Sequence, residues 1–113
     1  KRTSNKGSYS NEDFSELQKH WRIPGAMRAM VNYYRSALRS QPKSPRGDRI
    51  KTPTQILWGE HDLALTLEMA RDSEKFLDNG SLTTYPDATH WLAHDKPAEV
   101  SARLIGHFEA NPA

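Results

Sequence analysis

Apolar side chains recur at helical spacing in an early part of the chain. Phe14 and Leu17 fall on one side of a segment that ends near Trp21, which predicts a helix. Ser10, followed three residues later by Asp13, has the spacing of a capping box that opens such a helix. We therefore expect the first helix to run from about residue 10 to residue 21.

A second helix is predicted from about Ala26 to Ser40, after the sequence Ile-Pro-Gly interrupts the first pattern. Apolar side chains lie along it at spacings of three and four and form one stripe: Met27, Met30, Val31, Tyr34 and Leu38. A stripe of this kind is normally the face that a helix buries. Tyr34 is therefore expected to point inward.

The segment from Gln41 to Pro53 marks a boundary. It contains three prolines and four basic side chains with almost no apolar content, which is typical of a linker. The opening residues 1–9 are basic and lack an apolar period, so they are expected to form a flexible lead-in. These features divide the chain into residues 1–9, 10–48 and 49–113.

Beyond the boundary, short apolar runs alternate with helical patterns. The predicted elements are a strand at Thr54 to Trp58, a helix at Leu65 to Leu77, a strand at Ser81 to Tyr85, and a last helix that buries Val100, Leu104, Ile105 and Phe108. This alternation indicates an α/β fold with parallel strands. Because ligands bind beyond the carboxyl ends of such strands, the loops that follow the two strands should lie together at a site.

Composition excludes several classes of function. The chain has 113 residues, 35% of them hydrophobic and 27% charged, with a formal net charge of +2, which fits one globular unit. Basic residues are dispersed, so no nucleic-acid partner is predicted, and no segment resembles a membrane span, so we expect a cytoplasmic protein. The absence of cysteine excludes disulfides and thiolate chemistry. The start at Lys1 is expected of a processed or truncated product.

The two strand-end loops contain an aspartate and a histidine, Asp62 and His90, 28 residues apart. A neutral imidazole can take a proton from water near neutral pH, and a carboxylate on its other nitrogen fixes the required tautomer. An aspartate between a strand and a helix is also a common N-cap, although Thr66 is better placed for that role here. His61, His90 and His94 offer a metal site as a further alternative, without the cysteines or helical HExxH motif that would support it.

The sequences PTQILWGEHDLAL and YPDATHWLAHDKPAEV resemble the C-terminal third of α/β-hydrolases, and IPGAMRAMVNYYRSALR resembles the end of the cap in epoxide hydrolases. The resemblance implies that Asp62 is the acid of a catalytic triad and His90 its histidine. It also implies that residues 10–48 are the last part of a helical cap with a linker, and that residues 49–113 are the last part of the core.

By the same resemblance, Tyr34 in the sequence NYYR corresponds to a cap tyrosine whose phenol donates to the epoxide oxygen. A tyrosine on an apolar stripe can equally be a core residue. Its neighbour Tyr33 and the tryptophan beside the histidine, Trp91, are candidates for substrate binding, and packing against the sheet explains Trp91 equally well. Trp58 is expected to be a core residue.

The nucleophile is missing from this pattern. An α/β-hydrolase carries it on an elbow of the form G-x-nucleophile-x-G, and no two of the six glycines are four residues apart. The resemblance and the missing elbow together imply the C-terminal portion of an epoxide hydrolase. We expect this portion to be inactive alone and to be completed by an N-terminal segment. The complete enzyme is expected to act on a small epoxide without a cofactor. A dehalogenase or serine esterase of the same fold, or a non-catalytic interaction module that pairs with a partner or with itself, is the alternative.

Overall fold

A computed structural model describes residues 3–39 and 49–112, so most of the predicted linker lies outside the described part of the chain. The described residues form two compact units, a helical unit of residues 9–39 and an α/β unit of residues 3–8 with 49–112. The elements in chain order are α1 (Asn11–Trp21), α2 (Ala26–Arg39), β1 (Thr54–Gly59), α3 (Leu67–Glu74), β2 (Gly80–Tyr85), α4 (Leu92–Asp95) and α5 (Pro97–Ala110).

The capping box that opens α1 is confirmed. The Ser10 hydroxyl accepts the N–H of Asp13 at 3.1 Å, and the Asp13 carboxylate accepts the N–H of Ser10 at 2.7 Å. Each group satisfies a backbone donor that the first helical turn would otherwise leave unpaired. Between the helices, Gly25 has a φ of +86°, a left-handed conformation that a residue with a Cβ rarely adopts. The predicted break between α1 and α2 is therefore made at this glycine.

The prediction that the apolar stripe of α2 is buried is wrong for the described chain. The stripe residues are exposed, with 69% of Tyr34 open to solvent. The physical reason is that periodicity identifies which side of a helix is apolar but not whether a partner covers it. Tyr34 is therefore not a core residue of the helical unit.

The α/β unit has the predicted parallel arrangement. β1 and β2 pair in parallel, with Thr54 opposite Gly80 at one end and Gly59 opposite Tyr85 at the other. α3 lies between them in sequence and contacts both strands. The loops that follow the two strands are consequently neighbours, as the alternating pattern of strands and helices indicated.

The outer side of β2 is covered in part by α3. The Glu74 carboxylate, at the end of α3, accepts the N–H of Leu82 at 2.8 Å. That N–H is a donor that a further strand could otherwise use, so the carboxylate blocks strand addition at this point. The strand order found in the described residues is β1 followed by β2, and Glu74 makes β2 a protected edge.

The buried apolar core of the described chain is small and consists of Ala70, Leu77 and Ala88. The predicted burial of one face of α5 is wrong here, since Leu104, Ile105 and Phe108 are all exposed, Phe108 by 67%. Such a core is far below what a stable unit of this size normally needs. No helix within the described residues is long and apolar enough to cross a membrane.

Two further features differ from expectation. The loop before Asp95 contains the short helix α4, which is too brief to produce an apolar period. The described part of the lead-in, residues 3–8, belongs to the α/β unit, where the Asn5 amide donates to the Asp87 carbonyl oxygen at 2.7 Å. The predicted flexibility rested on composition alone, which carries no information about a contact to a residue 82 positions away.

We expect Glu74→Ala to lower the free energy of unfolding of the protein by about 1–2 kcal/mol, because the part-buried Leu82 N–H loses a charged acceptor. Urea denaturation measures this difference. Glu74→Gln is the matched control, since its side chain keeps a carbonyl acceptor, and it should lose clearly less stability. Equal losses in the two variants would contradict the role given to this bond.

Candidate active site

The structure brings Asp62 and His90 together at the carboxyl ends of the two strands. The Oδ2 atom of Asp62 lies 2.8 Å from the Nδ1 atom of His90, a hydrogen-bond distance. The Asp62 side chain is only 7% exposed, whereas the His90 side chain is 40% exposed. The Asp62 carboxylate is thus buried within its loop, and the His90 ring lies beside it with part of its surface open to solvent.

Asp62 also holds its own loop. Its second oxygen, Oδ1, accepts the N–H groups of Ala64 at 2.8 Å and Leu65 at 3.0 Å. Thr66 is the N-cap of α3, but its side chain makes no capping bond. Asp62 can therefore organise the backbone before α3 and also orient the His90 imidazole, because its two oxygens accept from different donors.

Hydrogen bonding keeps Asp62 charged. Burial raises the pKa of the Asp62 carboxyl, but the N–H of Leu65, the His90 ring and the N–H of Ala64 together outweigh it and hold that pKa below its usual value. An ionised carboxylate can only accept hydrogen bonds. The geometry therefore assigns the proton of a neutral His90 ring to Nδ1 and leaves Nε2 as the ring atom that can accept one.

A close backbone approach at Gly59 sets the distance between the two loops. A Cβ on Gly59 would lie 2.3 Å from the carbonyl oxygen of Thr89 and 2.6 Å from that of Ala88. Beside it, the N–H of His61 donates to the Ala88 carbonyl at 2.9 Å, so the loops are joined backbone to backbone. Sequence reasoning did not identify Gly59 as a site residue, although a glycine at the end of a strand is a known signal of such an approach.

A small cavity with several apolar lining residues lies beside the pair. This cavity of about 140 Å³ adjoins Asp62 and His90, with Leu57, Leu65 and Leu92 among its lining residues. Trp91 lies against the histidine, with ring centroids 5.4 Å apart and the rings nearly perpendicular. Trp91 also lines a second concavity together with His90. Trp58 is half-buried, and its ring nitrogen is enclosed without a hydrogen-bond partner among the described residues.

The two candidate tyrosines lie on α2, in the helical unit. Tyr33 and Tyr34 are both exposed, and their rings meet edge to face with centroids 5.5 Å apart. The structure thus brings the acid and the histidine together within one unit, while the tyrosines are placed by a helix of the other. Among the residues described, no three histidine, aspartate or glutamate side chains form a cluster that could hold a metal ion.

Comparison with known proteins identifies the relatives of the chain. It is 33% identical over 101 residues to the AB hydrolase superfamily protein YfhM of Bacillus subtilis, a match covering 89% of this chain and 35% of that protein. It is 35% identical over 86 residues to human epoxide hydrolase 4, covering 75% of this chain and 23% of that protein. No family model matches the chain.

Comparison with solved structures identifies relatives of the same kind. The epoxide hydrolase of Bacillus megaterium, in complex with an inhibitor, superposes with a TM-score of 0.75 and 26% identity, over 92% of this chain and 39% of that one. The chain belongs to the α/β-hydrolase fold family. Within that family it is epoxide hydrolase-like and corresponds to the C-terminal part of its relatives, about a third of their length or less.

We expect Gly59→Ala to separate the two loops, because the added Cβ meets backbone atoms that no side-chain rotation can move aside. The bond between Asp62 and His90 should then be lost or lengthened. Resonances of both loops in the NMR spectrum of the protein would report the change. Gly106→Ala is the matched control, since a Cβ there meets nothing within 4 Å and should leave these resonances in place.

Proposed function

We propose that this chain is the C-terminal part of an enzyme that hydrolyses epoxides to diols, with Asp62 as the acid and His90 as the base of its catalytic triad. The observation that most directly supports this proposal is the 2.8 Å contact between Asp62 and His90, formed at the carboxyl ends of neighbouring parallel strands. The similarity to proteins named epoxide hydrolases supports the substrate class.

The proposed reaction has two stages. A nucleophilic aspartate outside this chain attacks an epoxide carbon, which breaks the carbon–oxygen bond of the ring and gives a covalent ester. His90 Nε2 then takes a proton from water as the water oxygen bonds to the ester carbonyl carbon. The ester bond breaks, the imidazolium proton passes to the departing alkoxide, and the other proton of the water, left on the aspartate carboxyl, replaces the one that the ring oxygen took up in the first stage. The diol leaves and the carboxylate is restored. Asp62 stabilises the imidazolium that forms between these steps.

The role proposed for Tyr34 belongs to the first stage. Opening of the ring places negative charge on the epoxide oxygen, and a phenol remains protonated near neutral pH, so it can donate to that oxygen. The support is the sequence NYYR together with the exposure of Tyr34 on α2, which leaves its hydroxyl accessible. Tyr33 and Trp91 are proposed to contact the substrate.

The proposal includes a complementary segment that supplies the nucleophile. Apolar side chains on α5 remain exposed, and the chain spans 35% of YfhM and 39% of the Bacillus megaterium structure. An N-terminal segment of the same fold would cover these side chains and enclose the apolar cavity beside the pair. We therefore expect the chain alone to be inactive.

The function is tested by trapping the ester in the complete protein. With His90→Ala, a single equivalent of a styrene-type epoxide should add its mass to the protein and remain attached, because the second stage lacks its base. Intact-mass spectrometry measures the adduct. His107→Ala, a change of the same kind on α5, should release diol as the unaltered protein does.

Three results would overturn this proposal. The first is that the complete protein releases no diol. The second is that the complete protein turns over only haloalkanes or carboxylic esters. The third is that the isolated 113-residue chain shows the full turnover of the complete protein.

We expect Tyr34→Phe to slow formation of the ester by about tenfold or more while leaving its hydrolysis unchanged, because the phenol acts only in ring opening. Rapid-quench measurement separates the two stages. Tyr9→Phe removes a hydroxyl from a residue of the same unit that lies outside α2, and it serves as the control. An equal effect of both substitutions would contradict a specific role for Tyr34.

A further inference from the structure

The loop that contains His90 is held by a second carboxylate, that of Asp95. Oδ2 of Asp95 accepts two bonds from Thr89, one from its N–H at 2.7 Å and one from its hydroxyl at 2.6 Å. The same hydroxyl accepts the N–H of Trp91 at 3.2 Å. The residues immediately before and after His90 are therefore both tied to one network.

This network lies inside the loop. Thr89 is only 7% exposed, so its donors would be costly to leave unpaired. The other oxygen of Asp95 accepts the hydroxyl of Ser8. Burial raises the pKa of the Asp95 carboxyl, but the bonds from Ser8 and Thr89 outweigh it and hold that pKa below its usual value. An ionised Asp95 is a strong acceptor for both.

Asp95 has no evident role in the helix that follows. α5 has Lys96 as its N-cap and receives no side-chain capping bond. The carboxylate is instead directed back to Thr89, six residues earlier. The carbonyl oxygen of Thr89 is also confined, because it lies at the close backbone approach to Gly59. The backbone at Thr89 is thus fixed between the end of β1 and Asp95.

We propose that Asp95, acting through Thr89, is a positioning residue that holds the His90 ring at hydrogen-bond distance from Asp62. The His90 side chain is 40% exposed, so its contacts with Asp62 and Trp91 depend on where its backbone is held. A displacement of about 1 Å is enough to cost roughly a hundredfold in rate at a catalytic group. The effect on turnover rests on the proposed function, but the effect on the ring does not.

The structural test uses the complete protein and the NMR signal of the His90 Nδ1 proton, assigned by its loss in His90→Gln. Asp95→Ala and Thr89→Val should each broaden or abolish this signal while the remaining spectrum stays folded. Thr89→Ser keeps the hydroxyl and should keep the signal. Asp72→Ala removes an exposed carboxylate of α3 that pairs with Lys75, and it is the matched control.

The kinetic test follows epoxide hydrolysis in the same variants. Thr89→Val should lower kcat by about tenfold with KM changed by less than roughly twofold, and Thr89→Ser should restore kcat. An unchanged His90 signal in Thr89→Val overturns the inference, even where Asp95→Ala fails to fold. Absence of epoxide turnover in the unaltered protein overturns the proposed function alone, since the NMR result stands without it.

Discussion

The parallel pairing of β1 with β2 is the constraint on which the rest of the site depends. Its register sets Gly59 beside Tyr85, so the two loops leave the sheet at the same level. Backbone bonds then join them, including the N–H of Glu60 to the Tyr85 carbonyl at 3.0 Å. A slip of one residue would turn every side chain to the opposite face and move Asp62 away from His90.

Two partly buried carboxylates convert this pairing into a defined loop geometry. Asp62 divides its oxygens between its own turn and His90, and Asp95 divides its oxygens between Ser8 and Thr89. A carboxylate withdrawn from water is tolerated only when several donors surround it. Each therefore orders several groups at once, which a neutral side chain of the same size would do less well.

The sequence was sufficient to predict both strands, the longer helices and the approach of Asp62 to His90, but not the short helix α4 or the contacts around the pair. The pattern of apolar residues predicted β1 and β2. The rule that the loops after parallel strands lie at the same edge of the sheet predicted the approach of Asp62 to His90. The contacts of Thr89 with Asp95 and Gly59 could not be predicted, because no periodic sequence pattern relates these positions. The burial expected of α2 and α5 was wrong since a stripe does not reveal whether its covering partner lies in the same chain.

The geometry of the pair and its environment have different origins. The bond between Asp62 and His90 is made entirely by residues of the α/β unit, so it needs no contribution from outside this chain. The described residues do not exclude water from the pair, because the His90 side chain is 40% exposed. Charge interactions strengthen when water is removed. Covering the exposed apolar residues would therefore strengthen the interaction between Asp62 and His90, whose relative orientation is already set in this chain.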